Sequence, residues 1–330
     1  MIHNRGEVSE KTRKKILQII EELNFEPDIL ASTLATKKTY RFACLLPEIN
    51  DDSAFWKAPQ VGIERAFNEI AHYGVHIDLF FFDQFEKASF KQKAEELILS
   101  HPDAFIFTPV FSDESLKISK LASDEGIPFA LVNSNNDDIP KISYIGQDSY
   151  QSGKVAGKLI GLGLSGNVDL LVINISRALK NHKHILKRKT GFESFFKETG
   201  NNNIEIHSLD IENTGQEHVN RRLSEFFNKV SGNYKGIFVT NSRVFKIASF
   251  LDENNIRDCR LIGYDLLDEN IAYLENNTID FLISQQPYEQ GYKGIITLFH
   301  HMILHKEVKQ EQYLPIDIIT KENIKFYIET

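Results

Sequence analysis

From Arg41 onward the chain alternates short, nearly unbroken apolar runs with longer stretches whose apolar residues recur every three or four positions. The runs Phe42 to Leu46, His76 to Phe82, Ala104 to Thr108, Phe129 to Asn133, Val168 to Ile173, Ile204 to Ser208, Gly236 to Val239 and Arg260 to Tyr264 have the length of buried strands. Between them, Val61 to His72, Phe90 to Leu99, Leu116 to Glu125, Tyr150 to Leu162, Thr190 to Glu198, Gln216 to Lys229 and Val244 to Asn254 read as amphipathic helices. Such regular alternation predicts an α/β protein with parallel sheets and crossover helices. Before residue 40 the pattern differs. Ile16, Ile19, Ile20 and Leu23 share one helical face behind Ser9 as N-cap, which predicts a helix ending near Asn24. Pro27 then opens a short helix from Asp28 to Ala35, and Lys37, Lys38 and Thr39 read as a linker.

The length of 330 residues, 42% of them hydrophobic, exceeds one small domain and suffices for two cores. No stretch reaches the roughly 18 consecutive apolar residues of a membrane span, and Met1 to Lys15 is polar where a signal peptide has an apolar segment. The expectation is a cytoplasmic protein with no membrane partner. Cys44 and Cys259 stand far apart without metal-type spacing and read as buried, reduced thiols. A net charge of -8 argues against a surface that coats nucleic acid. The first 40 residues nevertheless carry seven basic and six acidic side chains, which leaves the acidic excess to the remaining body. That distribution fits a small contact module attached to an acidic sensor.

In parallel α/β sheets ligands gather beyond the carboxyl ends of the strands, which points to Pro47 to Trp56, Pro109 to Asp113, Ser134 to Asp138, Ser176 to His184, Asn241 and Ser242, and Asp265. No glycine-rich phosphate loop, nucleophile elbow or metal-ligand spacing is present, so no catalytic residue, metal or cofactor is expected. The adjacent pairs Asp51 and Asp52, and Asp137 and Asp138, read as solvated loop charges, as do His182 and His184.

Asn4-Arg5-Gly6-Glu7-Val8-Ser9-Glu10-Lys11-Thr12-Arg13, continuing through Leu23-Asn24-Phe25-Glu26-Pro27, resembles the third headpiece helix of the lactose/galactose repressor (LacI/GalR) family, and Ala31 to Thr39 resembles its hinge helix and linker. Further on, Asp148 in Ile145-Gly146-Gln147-Asp148, Arg188 ahead of Gly191-Phe192, Asn241, Asp265 in Gly263-Tyr264-Asp265, and Gln285 are similar to the family's effector-pocket positions. The resemblance implies two Rossmann-like lobes of the type I periplasmic-binding-protein kind, preceded by a remnant of a helix-turn-helix headpiece and a hinge. It divides the chain into residues 1–39, a first lobe of 40–162 with 286–312, and a second of 163–285 with 313–330.

By the same resemblance, Asp148, Arg188, Asn241, Asp265 and Gln285 would hydrogen-bond a small effector, with Phe55 or Trp56 as its aromatic wall. Such side chains pair well with hydroxyls at fixed angles. Each has another reading: Asp148 or Asn241 as a helix cap, Arg188 as a solvated charge, Gln285 as a turn donor, Trp56 as core or interface. Asn4, Arg5, Thr12, Arg13 and the hinge leucine Leu34 would contact operator DNA. The family's first two headpiece helices, including the one that reads the major groove, have no counterpart in the sequence as written. The functional expectation is a homodimeric, ligand-responsive repressor whose lobes close on a monosaccharide or derivative. The alternative is a solute-binding protein for sugar uptake or sensing. A neutral sugar, a sugar acid and a sugar phosphate all stay open as effector.

Overall fold

The computed structural model describes residues 12, 14–15, 38–50, 53–177, 183–200 and 203–328. Thr12, Lys14 and Lys15 are helical and exposed. Asn4, Arg5, Arg13, Leu34, Asp51, Asp52 and His182 lie outside the described residues, as does most of the helix expected from Ser9 and all of the one expected from Asp28.

The first half of the body runs β1 (Tyr40–Pro47), α1 (Lys57–Ile70), β2 (Val75–Phe82), α2 (Lys87–Leu99), β3 (Ala104–Phe107), α3 (Ser112–Asp124), β4 (Phe129–Val132), β5 (Ser143–Gly146) and α4 (Ser149–Gly161). The second runs β6 (Val168–Ile175), α5 (Lys183–Glu198), β7 (Ile204–Ile211), α6 (Gln216–Lys229), β8 (Tyr234–Val239), α7 (Val244–Glu253), β9 (Arg260–Tyr264), α8 (Asp268–Glu275) and β10 (Phe281–Ser284). It ends with α9 (Pro287–Met302), β11 (Glu311–Tyr313), β12 (Asp317–Ile319) and α10 (Lys325–Ile328). Two six-stranded sheets result, ordered β11-β5-β4-β3-β1-β2 and β12-β10-β9-β8-β6-β7. All neighbours are parallel except β10 and β12. The fold is the two-lobed, type I periplasmic-binding-protein architecture.

Every apolar run read as a strand forms one, because central strands covered on both faces are apolar at every position, as in β3 and β4. The sequence pattern missed β5, β10, β11 and β12, short strands of three or four residues that, unlike β3 and β4, each include a polar residue in place of an unbroken apolar run. It also missed α9, whose contact face is built partly from Gly291 and Gly294 in place of apolar side chains.

The chain passes between the sheets three times. The sequence division at residue 162 assigned α4 to the first lobe. Its Ala156, Leu159 and Ile160 instead pack with Leu170, Val172, Phe238 and Tyr264 of the second sheet, so the first passage is at Gln147 and Asp148. The others follow β10 and β11, since α9 packs Ile295, Leu298 and Phe299 into the first core. Buried Gln147 gathers all three, its amide donating to the carbonyls of Ser284 (3.0 Å) and Pro315 (3.4 Å). Each lobe also receives its incoming helix at a backbone-to-backbone crossing. A Cβ on Gly153 of α4 would stand 2.0 Å from the Arg188 carbonyl oxygen, and one on Gly191 of α5 2.0 Å from that of Tyr150. Gly62 of α1 and Gly291 of α9 form the equivalent pair, against the carbonyls of Tyr288 and Pro59.

Candidate functional site

The carboxyl ends of both sheets face one cleft, with about 710 Å³ of empty space counting its open mouth. The first sheet contributes Ser53, Phe55 and Trp56 after β1, Gln84 and Phe85 after β2, Thr108 to Val110 after β3, and Asn133 and Ser134 after β4. The second contributes Ser176, His184, Ile185 and Arg188 around the start of α5, Asn241 to Arg243 before α7, and Gln285 after β10. Loops that leave strand ends face the cleft because strand polarity is common to each sheet. Phe55 and Trp56 meet edge to face at 5.1 Å, and Trp56 both lines the cleft and joins the first core. Phe85, which the sequence did not single out, carries the Arg177 guanidinium 4.6 Å above its ring.

Arg188 is the largest fully buried side chain of the described residues. Its Nη1 donates to the Thr240 carbonyl at 2.8 Å, its Nη2 to Gln285 Oε1, and its guanidinium lies 3.8 Å from the centre of the Tyr264 ring. Gln285 in turn donates from Nε2 to Asp265 Oδ2 at 2.6 Å and from its backbone N to Oδ1 at 3.3 Å. Gln285 is thus the bridge between the buried cation and the buried carboxylate, a role that depends on side chains 97 and 20 residues apart. Asp265 sits behind it and does not line the cleft. Asn241 does line it, while its Nδ2 donates to the Ile175 carbonyl and its Oδ1 accepts from the Arg243 N–H. Asn133, Asp265 and Gln286 hold φ of 67°, 67° and 51°, a left-handed backbone that non-glycine residues adopt at a cost. Asn133 and Asp265 directly follow β4 and β9, and Gln286 stands two residues past the end of β10, all at the cleft end of the sheets.

Burial pushes the Asp265 carboxyl up to about 6 from its ordinary 3.8, against the pull of Arg188 and Gln285. A carboxyl that holds its proton more firmly folded than unfolded contributes stability at low pH and loses it as pH rises through the folded value. The contribution should therefore decline between about pH 4 and pH 6, by roughly 3 kcal/mol. Denaturant unfolding of wild type and Asp265→Asn across that interval checks this: the stability difference should move against the wild type as pH rises, and a constant difference would refute it.

Asp148 takes another place. Its Oδ1 accepts from the Gln151 N–H at 3.0 Å and caps α4. It borders a smaller hollow with Asn135, Tyr144, Gln147, Lys187 and Tyr313, outside the main cleft. Asp148→Ala is expected to cost about 1 kcal/mol of stability, through the lost cap, and to leave ligand affinity at wild-type level. Calorimetric titration beside a denaturant curve separates the two effects. His184, read from the sequence as a solvated loop residue, lies in the first turn of α5 and borders both hollows.

At the opposite, amino end of the second sheet, Asp169, Glu205 and His207 place one potential ligand atom each within 4.8 Å of one another. The parallel register sets Asp169 beside Glu205, and His207 follows on the same face. Both Asp169 oxygens already accept hydrogen bonds, from His207 Nε2 and from the Asn233 N–H, so the group ties β6, β7 and the start of β8 together. Burial raises the pKa of both thiols, Cys44 and Cys259. Among the described residues no helix is long and apolar enough to cross a membrane.

Comparison with known proteins agrees with this geometry. A family model described as a periplasmic binding protein domain matches residues 42–306. The HTH-type transcriptional regulator MalR of Streptococcus pneumoniae is 25% identical over 157 residues, 46% of this chain and 45% of its own. The chain thus spans about half the length of the curated relatives that head the comparison. The ribose operon repressor of Lactococcus lactis is 24% identical over 337 aligned positions, 98% of this chain and 92% of its own. Among solved structures, a Bacteroides fragilis protein assigned by name to the LacI transcriptional regulators is 30% identical with a TM-score of 0.81, covering 88% of this chain and all of that one. GanP, a glucose-galactose binding protein of Geobacillus stearothermophilus, shares the fold at 21% identity and a TM-score of 0.76, over 87% of this chain and 99% of its own. With two parallel sheets facing one cleft and a family match over most of its length, the chain belongs to the periplasmic binding protein domain family, with LacI-type regulators among its relatives.

Proposed function

We propose that the chain is the effector-sensing body of a transcription regulator, a repressor, that binds a small sugar or sugar derivative between its lobes. The observation that carries the regulator over the transport reading is the match to a ribose operon repressor across 98% of this chain, an extent that takes in residues ahead of the two-sheet body. The lobes would be residues 40–147 with 286–314, and 148–285 with 315–328, divided where Gln147 meets the Ser284 and Pro315 carbonyls. A ligand touching both rims favours their approach, and rotation about this knot is passed to residues 1–39 and through them to operator DNA. That is coupling by population shift, and it requires only that the ligand prefer one lobe arrangement. A cytoplasmic homodimer matches a two-fold operator. Arg188, Asn241, Gln285, Phe55 and Trp56 would contact the ligand directly, with Asp265 acting through Gln285.

The single tryptophan, Trp56, stands in the cleft wall, so its fluorescence reports occupancy. Sugars, sugar acids and sugar phosphates are expected to include one that changes this emission and raises the melting temperature, by about 2.7 kcal/mol of stabilisation at 100 times its Kd. Silence across all three classes would overturn the sugar reading. Deleting the gene and measuring transcripts with and without the active sugar tests regulation, and an unchanged transcript profile would favour the solute-binding alternative.

A further inference from the structure

A cluster of ligand-type side chains lies at the amino end of the second sheet, away from the cleft. Asp169 on β6 stands in register beside Glu205 on β7, and His207 follows on the same face, 38 residues from Asp169. The two carboxylates converge on one nitrogen: His207 Nε2 is 3.0 Å from Asp169 Oδ1 and 3.8 Å from Glu205 Oε1. Like charges side by side on neighbouring strands repel. Among the described residues no lysine or arginine pairs with either carboxylate, which leaves His207 as their shared partner. β7 is the edge of its sheet, and the Glu205 side chain is 75% exposed, so an ion from solvent can reach the group.

These separations suit a metal. A tetrahedral ion with bonds of about 2.0 to 2.2 Å to nitrogen and carboxylate oxygen holds neighbouring ligand atoms about 3.4 Å apart, and the two distances at Nε2 lie on either side of that value. Asp169 is already oriented for it: Oδ2 accepts from the Asn233 N–H at 2.7 Å, which leaves Oδ1 for a ligand bond. A further observation lies outside the triad. Tyr234 stands beside the imidazole, ring centres 5.5 Å apart, and its hydroxyl is buried without a hydrogen-bond partner. Buried polar groups left unpaired are uncommon. Burial and the charges of Asp169 and Glu205 raise its pKa, so the phenol keeps its proton and can donate to a water or anion held at the fourth position of a metal.

We propose that Asp169, Glu205 and His207 form a binding site for a divalent first-row transition ion, zinc by ligand type, with Tyr234 beside its open position. One imidazole and two carboxylates match zinc or cobalt better than magnesium, which prefers oxygen ligands alone. The site is independent of the sugar reading, because none of its residues lines the cleft. The test is calorimetric titration of the intact, metal-stripped chain with zinc chloride. The chain has eleven histidines, so the decisive comparison is among variants. Losing a partner that merely orients a ligand costs about 10- to 100-fold in metal affinity, so His207→Gln should weaken the tightest zinc equivalent about a hundredfold or more. Glu205→Gln, a change at an exposed position, should weaken the same equivalent about tenfold or more. With cobalt chloride the wild type should show a visible absorption band that His207→Gln loses. Equal zinc binding by the wild type and both variants, no zinc binding by the wild type, or displacement of zinc by an equal concentration of magnesium would overturn the proposal.

Discussion

Gly153→Ala is expected to lower stability by about 3 kcal/mol or more, the upper end for overpacking. The added methyl would lie 2.0 Å from the Arg188 carbonyl oxygen, and backbone cannot step aside as a side chain can. α4 and α5 would have to separate, and with them the contacts of Phe195 over Gly157 and of Phe196 in the second core. Gly191→Ala should cost a similar amount, because its methyl would meet the Tyr150 carbonyl at the same distance. The double variant should fall short of the sum, since the first substitution already opens the space the second needs. Denaturant unfolding of the four proteins measures this. Additive losses, or a Gly153→Ala protein of wild-type stability, would show that the helices do not cross as closely as described. Because α5 carries Arg188, ligand affinity should weaken along with stability.

Arg188→Ala is expected to abolish effector binding and to cost about 3 kcal/mol near pH 8, the scale for leaving a buried partner unpaired. The Thr240 carbonyl and Gln285 Oε1 would lose their donor and the Tyr264 ring its cation. Asp265 would lose the positive charge that pulls its pKa down, so its folded value should climb above about 6. A carboxyl raised further loses still more stability as pH increases, and the cost should therefore be smaller near pH 5, where Asp265 is protonated in the folded wild type as well. Arg188→Lys should restore little, because an ammonium cannot reach two acceptors in the plane that a guanidinium serves. Unfolding curves at both pH values, with titration of whichever ligand raises the melting temperature, provide the measurement. A pH-independent loss would break the link to Asp265.

Much of this was legible in the chain itself. Apolar runs such as Phe105 to Phe107 and Leu170 to Ile173 predicted strands because a parallel sheet covered on both faces excludes polar residues, and the amphipathic stretches between them predicted crossovers. Alternation and strand polarity together pointed to the strand ends, where Phe55, Trp56 and Asn241 do line the cleft, while Gln285, which follows the unread strand β10, entered only through the family resemblance. Local pattern carries that information because period and turn chemistry are local. It does not say which oxygen or nitrogen each side chain finds. Asp148 and Asp265 look alike as polar residues after apolar runs, yet one caps a helix and the other lies buried behind Gln285. Gln147 gave no sign of joining three passages, nor Arg188 and Gln285 of meeting across 97 residues. The sequence determined the longer strands and helices, their order and the end of the sheets where the cleft lies, but not the short β5, β10, β11 and β12. Only the tertiary structure decided which lobe owns α4, which carboxylates withdraw from the cleft and which cations remain there, because burial, hydrogen bonding and local charge arise from long-range packing.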